Sequence, residues 1–513
     1  MSLTEPAASA VAHDTSHDTS MEREVGVALR NAVTVGVSLV CTWTVALIVK
    51  FQLPRLLGPA LFGDLNFADS FAAAFLGCIE FGFDVYIQKE VSVRPRHASD
   101  FLGGILLFRA AVAAALISLM FGLLRANHRT AEVQIAAIVF AVAYLLMSLN
   151  ATFGTLLQAS LRVGRFALAN VLGKVAWGVG LVACIAMRLP IAAFSVPLLA
   201  SEILRATILL PAVRSSLELE FRLDLRAVGK ALASSVPYLI SNAAIAVGAK
   251  LPVSILEFLV TDKREVGWLG AASNLGTLAM IMFPLLQWII TPMLARARAR
   301  SEEEVFTILR YALQGLLVVA MPVTLFIGLG AGLWVKVAFG PGYAQAALPL
   351  MAIAPQFVFT YAAMVLSIGL IILDRQWKAT MNALVSLALT PLLILAIVPV
   401  ASRIGEGGAA AGAALAVVVS EVAVSISCLY HVGRRVLDRR TLSAALKSFA
   451  LCAAVAALHV ALRKVGLGTR LLVDLAAYAT SAFAIGIVRP EDARALVRLV
   501  RTRSVRSARG TAR

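Results

Sequence analysis

The 513-residue chain is 60% hydrophobic and only 15% charged, with a mean hydropathy of +0.86. A soluble domain is nearer half apolar and a quarter charged, so lipid is the solvent for much of this surface. The formal charge of +17 does not point to nucleic acid: no basic soluble domain exists to carry such a site, whereas a polytopic protein collects Lys and Arg in its cytoplasmic loops.

In chain order, residues 1–22 form a polar tail in which His13-Asp14-Thr15-Ser16 recurs as His17-Asp18-Thr19-Ser20. A solvated disordered tail is the reading favoured over a metal site. Apolar runs of about 20 residues cross a bilayer as helices. An N-lobe over 23–214 is expected to hold six, near 31–49, 65–88, 101–124, 132–157, 166–187 and 191–213. A charged cytoplasmic connector, 215–233, follows. A C-lobe over 234–440 holds six more, near 234–260, 267–294, 312–336, 346–373, 380–400 and 409–431. Two spans near 444–462 and 471–488 form an appended hairpin within 441–488, and 489–513 is a basic tail in which Arg494, Arg498 and Arg501 recur at helical spacing. The tail looks like a basic interfacial helix, and a plain positive-inside anchor is the reading favoured over it. The expected class is an all-α integral membrane protein of about 14 spans. An outer-membrane barrel is excluded because strand-like alternation is absent. Cys41, Cys78, Cys184, Cys428 and Cys452 lie in apolar runs and read as small hydrophobes.

The halves repeat. Phe62-Gly63-Asp64-Leu65-Asn66-Phe67-Ala68 matches Val266-Gly267-Trp268-Leu269-Gly270-Ala271-Ala272, each between two membrane-length segments; the first copy is expected at a short turn carrying Gly58-Pro59. Asn170 matches Asn382, and Ser201-Glu202 matches Ser420-Glu421. Six spans per half is an even number, so the halves enter the membrane in the same sense, as parallel repeats about an axis along the membrane normal. Loop charge places both termini in the cytoplasm.

The stretches LLGPALFGDLNFA (56–68), REVGWLGAASNL (264–275) and FGPGYAQAALPLMAI (339–353) resemble the polysaccharide-unit flippases. These bacterial inner-membrane proteins move undecaprenyl-pyrophosphate-linked sugar units for O-antigen, capsule and exopolysaccharide synthesis. Their superfamily also contains the multidrug and toxic-compound extrusion transporters and the lipid-linked peptidoglycan precursor flippases. The resemblance covers spans 1–12. It implies two six-helix lobes around a central cavity with alternating access, lined mainly by spans 1, 2, 7 and 8. Peptidoglycan precursor flippases place basic residues on their first two spans; the core of span 1 carries none here, which argues against that sub-type.

An ionisable residue inside a span is costly unless it faces protein or water, so each marks a possible pathway. Arg109, Lys174 and Arg205 each stand about eight residues from the cytoplasmic end of their spans, which puts them at one depth, roughly 12 Å in, at 1.5 Å per residue. Such a set suits a pyrophosphate; snorkelling to the interface is the competing reading. Arg30 precedes span 1. Lys250 lies past the middle of span 7 and is followed by Pro252, where snorkelling is harder. Because the resemblance implies that span 7 lines the cavity, it is the foremost candidate for substrate contact. The same implication puts Arg109, on the more peripheral span 3, in doubt. Glu202 and Arg205 stand at i and i+3, so they also read as a mutually neutralising pair. The candidates for carrying a coupling proton or Na+ are Glu421, Glu80, Asp84 and Glu202, with Glu257 also within a span. Local pairing and burial as neutral acids are the alternatives.

The expected function is therefore a lipid-linked oligosaccharide flippase, on the repeat, the resemblance and the cations at one depth; no cofactor, metal or nucleic acid is expected, and the working unit is a monomer among membrane lipids beside polymerase and export machinery. A cation-coupled drug antiporter is the second reading, disfavoured because cations outnumber acids in the spans. An enzyme is the third, disfavoured because no external connection is long enough for a catalytic surface and no nucleophile, metal or phosphate-cradle motif appears.

Overall fold

The computed structural model describes the backbone of residues 8–80, 98–159, 163–217, 236, 240–280 and 283–486. Those residues contain helices and turns and no strand. In order they are α1 (Ala8–Leu76), α2 (Ala98–Ala126), α3 (Ala131–Ala159), α4 (Val163–Ala186), α5 (Val196–Leu217) and α6 (Ile240–Gly248). Then come α7 (Leu251–Leu259), α8 (Lys263–Ala279), α9 (Phe283–Arg298), α10 (Glu302–Leu329), α11 (Ala331–Phe339) and α12 (Ala347–Ile353). The last are α13 (Gln356–Ile372), α14 (Gln376–Ala401), α15 (Gly408–Val432), α16 (Arg439–Ala461) and α17 (Leu467–Ala484). Among the described residues nine helices are long and apolar enough to cross a membrane, or eleven if each of two bent pairs counts as one span.

One reason this tally differs from 14 is α1, which carries the first two expected spans as a single element. Its 41-residue apolar stretch, Gly36–Leu76, would reach about 60 Å if straight, twice the hydrocarbon thickness. The short turn expected at Gly58-Pro59 is instead a kink at one residue. Gly58 adopts φ 74°, ψ 166°, a region open to glycine and strained for other residues. Pro59 then restarts the helix, where its missing N–H costs nothing.

The chain divides into two compact units: Met1–Leu53 with Ala68–Val247, and Pro54–Phe67 with Gly248–Arg513. In the first, α5 packs along α4 on one side and α3 on another, and α2 packs against α3.

In the second unit α15 is the central helix, with α14 on one side and α12 and α13 on another. α10 bridges α13 to α16, and α16 pairs with α17. α10 begins well: Ser301 accepts from the Glu304 amide at 3.2 Å, and Glu302, Glu303 and Glu304 meet the positive end of the helix dipole. Its Phe306, Leu309, Leu313, Leu317 and Met321 recur every three or four residues and pack into one core with Phe357, Tyr361 and Val365. α15 is capped from a distance. The buried Glu265 carboxylate accepts from Gly407 N at 2.7 Å and Ala410 N at 2.8 Å, satisfying two of the amides that a helix start leaves open.

The repeated words of the sequence meet here. Residues 54–67 pack on α8 so closely that a Cβ on Gly63 would collide with the Lys263 carbonyl oxygen, and one on Gly267 with the Pro59 carbonyl oxygen. The Asn66 side chain lies over Gly270. Tyr343 Oη donates to Pro54 O at 2.8 Å, and Lys263 bridges Glu257 and Asp64. The two copies are small-residue surfaces shaped for each other, which explains their shared glycine.

Candidate functional site

The first unit contains a cavity of about 320 Å³. Its walls are Thr42, Trp43 and Ala46 of α1, Asn170, Gly173, Lys174 and Trp177 of α4, and Ser201, Glu202 and Arg205 of α5, closed by Met147 and Leu198. Three of the expected site residues, Lys174, Glu202 and Arg205, thus come together, and Asn170 and Ser201 of the repeat join them.

Gly173 allows this meeting. A Cβ there would stand 2.6 Å from Arg205 Cγ and 2.7 Å from Cδ, so only a bare backbone lets the arginine stem cross α4. The guanidinium is then held on three sides. Its Nη1 donates to both Glu202 oxygens at 2.7 and 2.8 Å, and its Nη2 to Asn170 Oδ1 at 2.8 Å. Asn150 of α3 donates Nδ2 to Glu202 Oε2 and to its carbonyl, both at 2.9 Å. The buried carboxylate (4% exposed) is therefore committed to a charged partner and an amide, and the i, i+3 pair is formed as the spacing allows.

Lys174 is placed differently. Its Nζ lies 3.6 Å from the centroid of the Trp177 ring, a cation–π contact one turn along the same face. No carboxylate among the described residues pairs with it. With Arg205 neutralised by Glu202, Lys174 carries the cavity's available positive charge. Two indoles, an ammonium, two hydroxyls and an amide make a surface that can take an anion beside a flat, partly apolar group.

Arg109 is not part of this surface. It is fully buried between α2 and α3, where Nη1 donates to Ser148 O and Thr152 Oγ1, both at 2.7 Å. Its direction around α2 sends it into helix packing. Lys250 lies in the second unit, at the break between α6 and α7, which are bent by 44°. It is half-buried and precedes Pro252, and its carbonyl accepts from Ser254 Oγ at 3.1 Å. The expected span 7 is therefore two helices, with Lys250 in the interruption. Glu257 pairs with Lys263. Glu421 lies half-buried on α15 beside Thr360. The side chains of Arg30 and Glu80, and the whole of Asp84, fall outside the described residues.

Sequence reasoning missed Trp43, Trp177 and Asn150. Trp177 was accessible from its i+3 spacing to Lys174, and Asn150 from being a polar residue deep in an apolar run. Asp69, which accepts from Tyr144 Oη at 2.6 Å, was missed as well, and its charge within an apolar run was the available signal. The matched Asn382 behaves like Asn170 in one respect: it bonds to the next helix, accepting from Ser427 Oγ at 2.7 Å and donating to Cys428 Sγ at 3.0 Å.

A family model described as "Polysaccharide biosynthesis protein" matches residues 28–298. No curated protein matches the chain. Among solved structures, an inward-facing multidrug resistance MATE family transporter of the MOP superfamily matches with a TM-score of 0.63 at 14% identity, covering 77% of this chain and 94% of that one. The lipid II flippase MurJ in its inward closed conformation matches with a TM-score of 0.59 at 14% identity, over 86% of this chain and 100% of that one. A mutant of the Vibrio cholerae MATE transporter VcmN matches at 0.52 and 13% identity, over 78% and 97%. At such identities the likeness is one of fold, and the fold is the all-helical membrane architecture expected from the sequence.

Proposed function

Because the chain belongs to the polysaccharide biosynthesis protein family, we propose that it is a multi-pass inner-membrane flippase with both termini cytoplasmic. Its cargo on this reading is an undecaprenyl-pyrophosphate-linked oligosaccharide, carried from the cytoplasmic to the outer leaflet for surface polysaccharide synthesis. The observation that supports this most is the cavity of the first unit, where Lys174 stands over Trp177 amid apolar helices. A charge held there costs several kcal/mol unless it meets water or an anion.

The proposed roles follow from the geometry. Lys174 contacts the phosphate, and the Trp43 and Trp177 rings offer faces on which a sugar's apolar side packs. Arg205, fixed by Glu202 and Asn170, orients the wall of α5 and α4. Lys250 is a second cationic contact at a helix break. Arg109 clamps α2 to α3. Glu202 is occupied by Arg205, so Glu421 is the better placed of the two to carry a coupling ion. The protein makes and breaks no covalent bond on this account; it moves its cargo by alternating access.

The test is complementation of a deletion strain. Lys174→Ala is expected to abolish surface polysaccharide at normal protein abundance, with Lys174→Arg retaining part of it. Normal polysaccharide with Lys174→Ala would remove the residue from the mechanism. Dye efflux driven by a proton or Na+ gradient, with no polysaccharide defect on deletion, would replace the flippase reading by the antiporter one.

A further inference from the structure

The end of α9, cytoplasmic on the orientation proposed above, takes no part in that function. Its residues divide into two faces. Ile290, Leu294 and Ala297 are buried in the core built around α10 and α13. Met293 and Arg296, one turn apart, lie off that face and are exposed. Arg300 follows, also exposed, in the turn that leads to α10. Among the described residues these three line a cavity of about 580 Å³, within the size range of ligand pockets.

The ion pairs around this turn leave one arginine over. Arg298 stands 3.6 Å from both Glu302 and Asp374. Arg310 pairs with Glu303 at 2.6 Å. Arg300 Nε lies 2.9 Å from Glu304, with both side chains exposed, and an exposed pair one turn apart is weak enough to be exchanged for another anion. Arg296 donates Nε to the Pro292 carbonyl of its own helix at 3.2 Å. No carboxylate among the described residues pairs with it. The cavity therefore has two guanidiniums and an apolar edge. The planar guanidinium fork matches phosphate oxygens. Met293 stands one turn nearer the membrane interior than Arg296, at the depth where a lipid's first methylenes follow its phosphate.

We propose that Arg296 and Arg300 bind the headgroup phosphate of an anionic phospholipid from the surrounding leaflet, with Met293 against the start of its acyl chain. Charge selects the anionic class, because a zwitterionic headgroup brings its own cation to a site that is already cationic. Exposure selects a lipid of the leaflet over the cargo. Exposed arginines hold a phosphate weakly, which suffices for a lipid that makes up the surface and falls short for a molecule captured singly. The bound lipid ties the end of α9 to the headgroup layer.

Photolabelling of the full-length protein in nanodiscs tests this. The probes are phosphatidylglycerol and phosphatidylcholine, each with a diazirine near the start of one acyl chain. Label within 290–300 is read by mass spectrometry after chymotryptic digestion. Phosphatidylglycerol is expected to label this segment at least about tenfold more than phosphatidylcholine. The double variant Arg296→Gln, Arg300→Gln should bring its labelling down to the phosphatidylcholine level. A control of equal charge, Arg434→Gln with Arg439→Gln at another exposed turn, should keep it within about twofold, which separates the site from general attraction to a basic surface. Equal labelling of the unaltered protein by both lipids overturns the proposal, as does labelling that survives in Arg296→Gln, Arg300→Gln or falls equally in the control. Loss of label on adding a small mole fraction of undecaprenyl pyrophosphate would also overturn it, by giving the site to the cargo. The comparison of the two phospholipids leaves the flippase reading untouched, since no transport is measured.

Discussion

Removing the Glu202 carboxylate is a direct probe of how the cavity wall is held. In Glu202→Ala, Arg205 Nη1 loses the acceptors now at 2.7 and 2.8 Å and keeps only Asn170 through Nη2. Breaking a buried pair by deleting one partner costs about 3–5 kcal/mol. The Arg205 side chain is 17% exposed and borders the cavity, so water relieves part of that, and a loss of about 3 kcal/mol is expected. Asn150 loses its side-chain acceptor but retains the Glu202 carbonyl, which adds little. The assay is reversible unfolding in bicelles of four proteins: unaltered, Glu202→Ala, Arg205→Met, and the Glu202→Leu, Arg205→Met double variant. The double variant should fall within about 1 kcal/mol of the starting protein, since it strands no charge. A Glu202→Ala cost below about 1 kcal/mol, with no coupling in the cycle, would refute the picture of a guanidinium that depends on this carboxylate.

Three further outcomes follow from the packing and the caps. Gly267→Ala should destabilise the second unit by more than about 2 kcal/mol, because its Cβ meets the Pro59 backbone, which no rotamer change relieves. Gly315→Ala, with nothing within 4 Å, should be neutral or stabilise by up to about 1 kcal/mol; equal effects in an unfolding assay would contradict the close approach. Trp177→Leu keeps the bulk beside Lys174 but removes the ring face, and should weaken binding of a pyrophosphate-headed lipid severalfold in a titration; unchanged affinity would separate the ring from the site. The Thr441 hydrogen bonds hold the Asp438 carboxyl, outside the spans, below the ordinary carboxylate range. A lowered acid adds stability that is present above about pH 4 and is lost as pH falls through the lowered value. Asp438→Ala should therefore cost about 1 kcal/mol at neutral pH and flatten the acid-side loss. An unchanged acid limb in the unfolding curve would exclude this cap as a contributor.

What the sequence revealed and what it hid have physical causes. Lys174, Glu202 and Arg205 stood out because charge inside an apolar run is costly wherever it points. Their shared wall depended on Gly173, whose missing Cβ carries no signal until the arginine stem is seen crossing it. Arg109 shows the limit of counting along a helix: rise per residue gives depth, whereas the neighbour that claims a side chain is set by tertiary packing. Trp43 was hidden among other apolar residues, and Trp177 was legible only through its spacing to Lys174. The Gly63 and Gly267 words were visible as a repeat, but that the copies touch was not, since similarity says nothing of proximity. A turn was expected around Gly58-Pro59 because both residues favour one; a single backbone kink sufficed.

The central claim is that this chain carries an anionic lipid-linked sugar past a wall where Lys174 meets it. The most direct measurement is leaflet transfer of a fluorescent undecaprenyl-pyrophosphate-linked sugar in proteoliposomes, read by the fraction accessible to an external quencher. The account predicts transfer well above protein-free vesicles, lowered at least about tenfold by Lys174→Ala, the size of effect expected from losing a charge-assisted contact. Transfer no faster than in protein-free vesicles, or undiminished by Lys174→Ala, would contradict it.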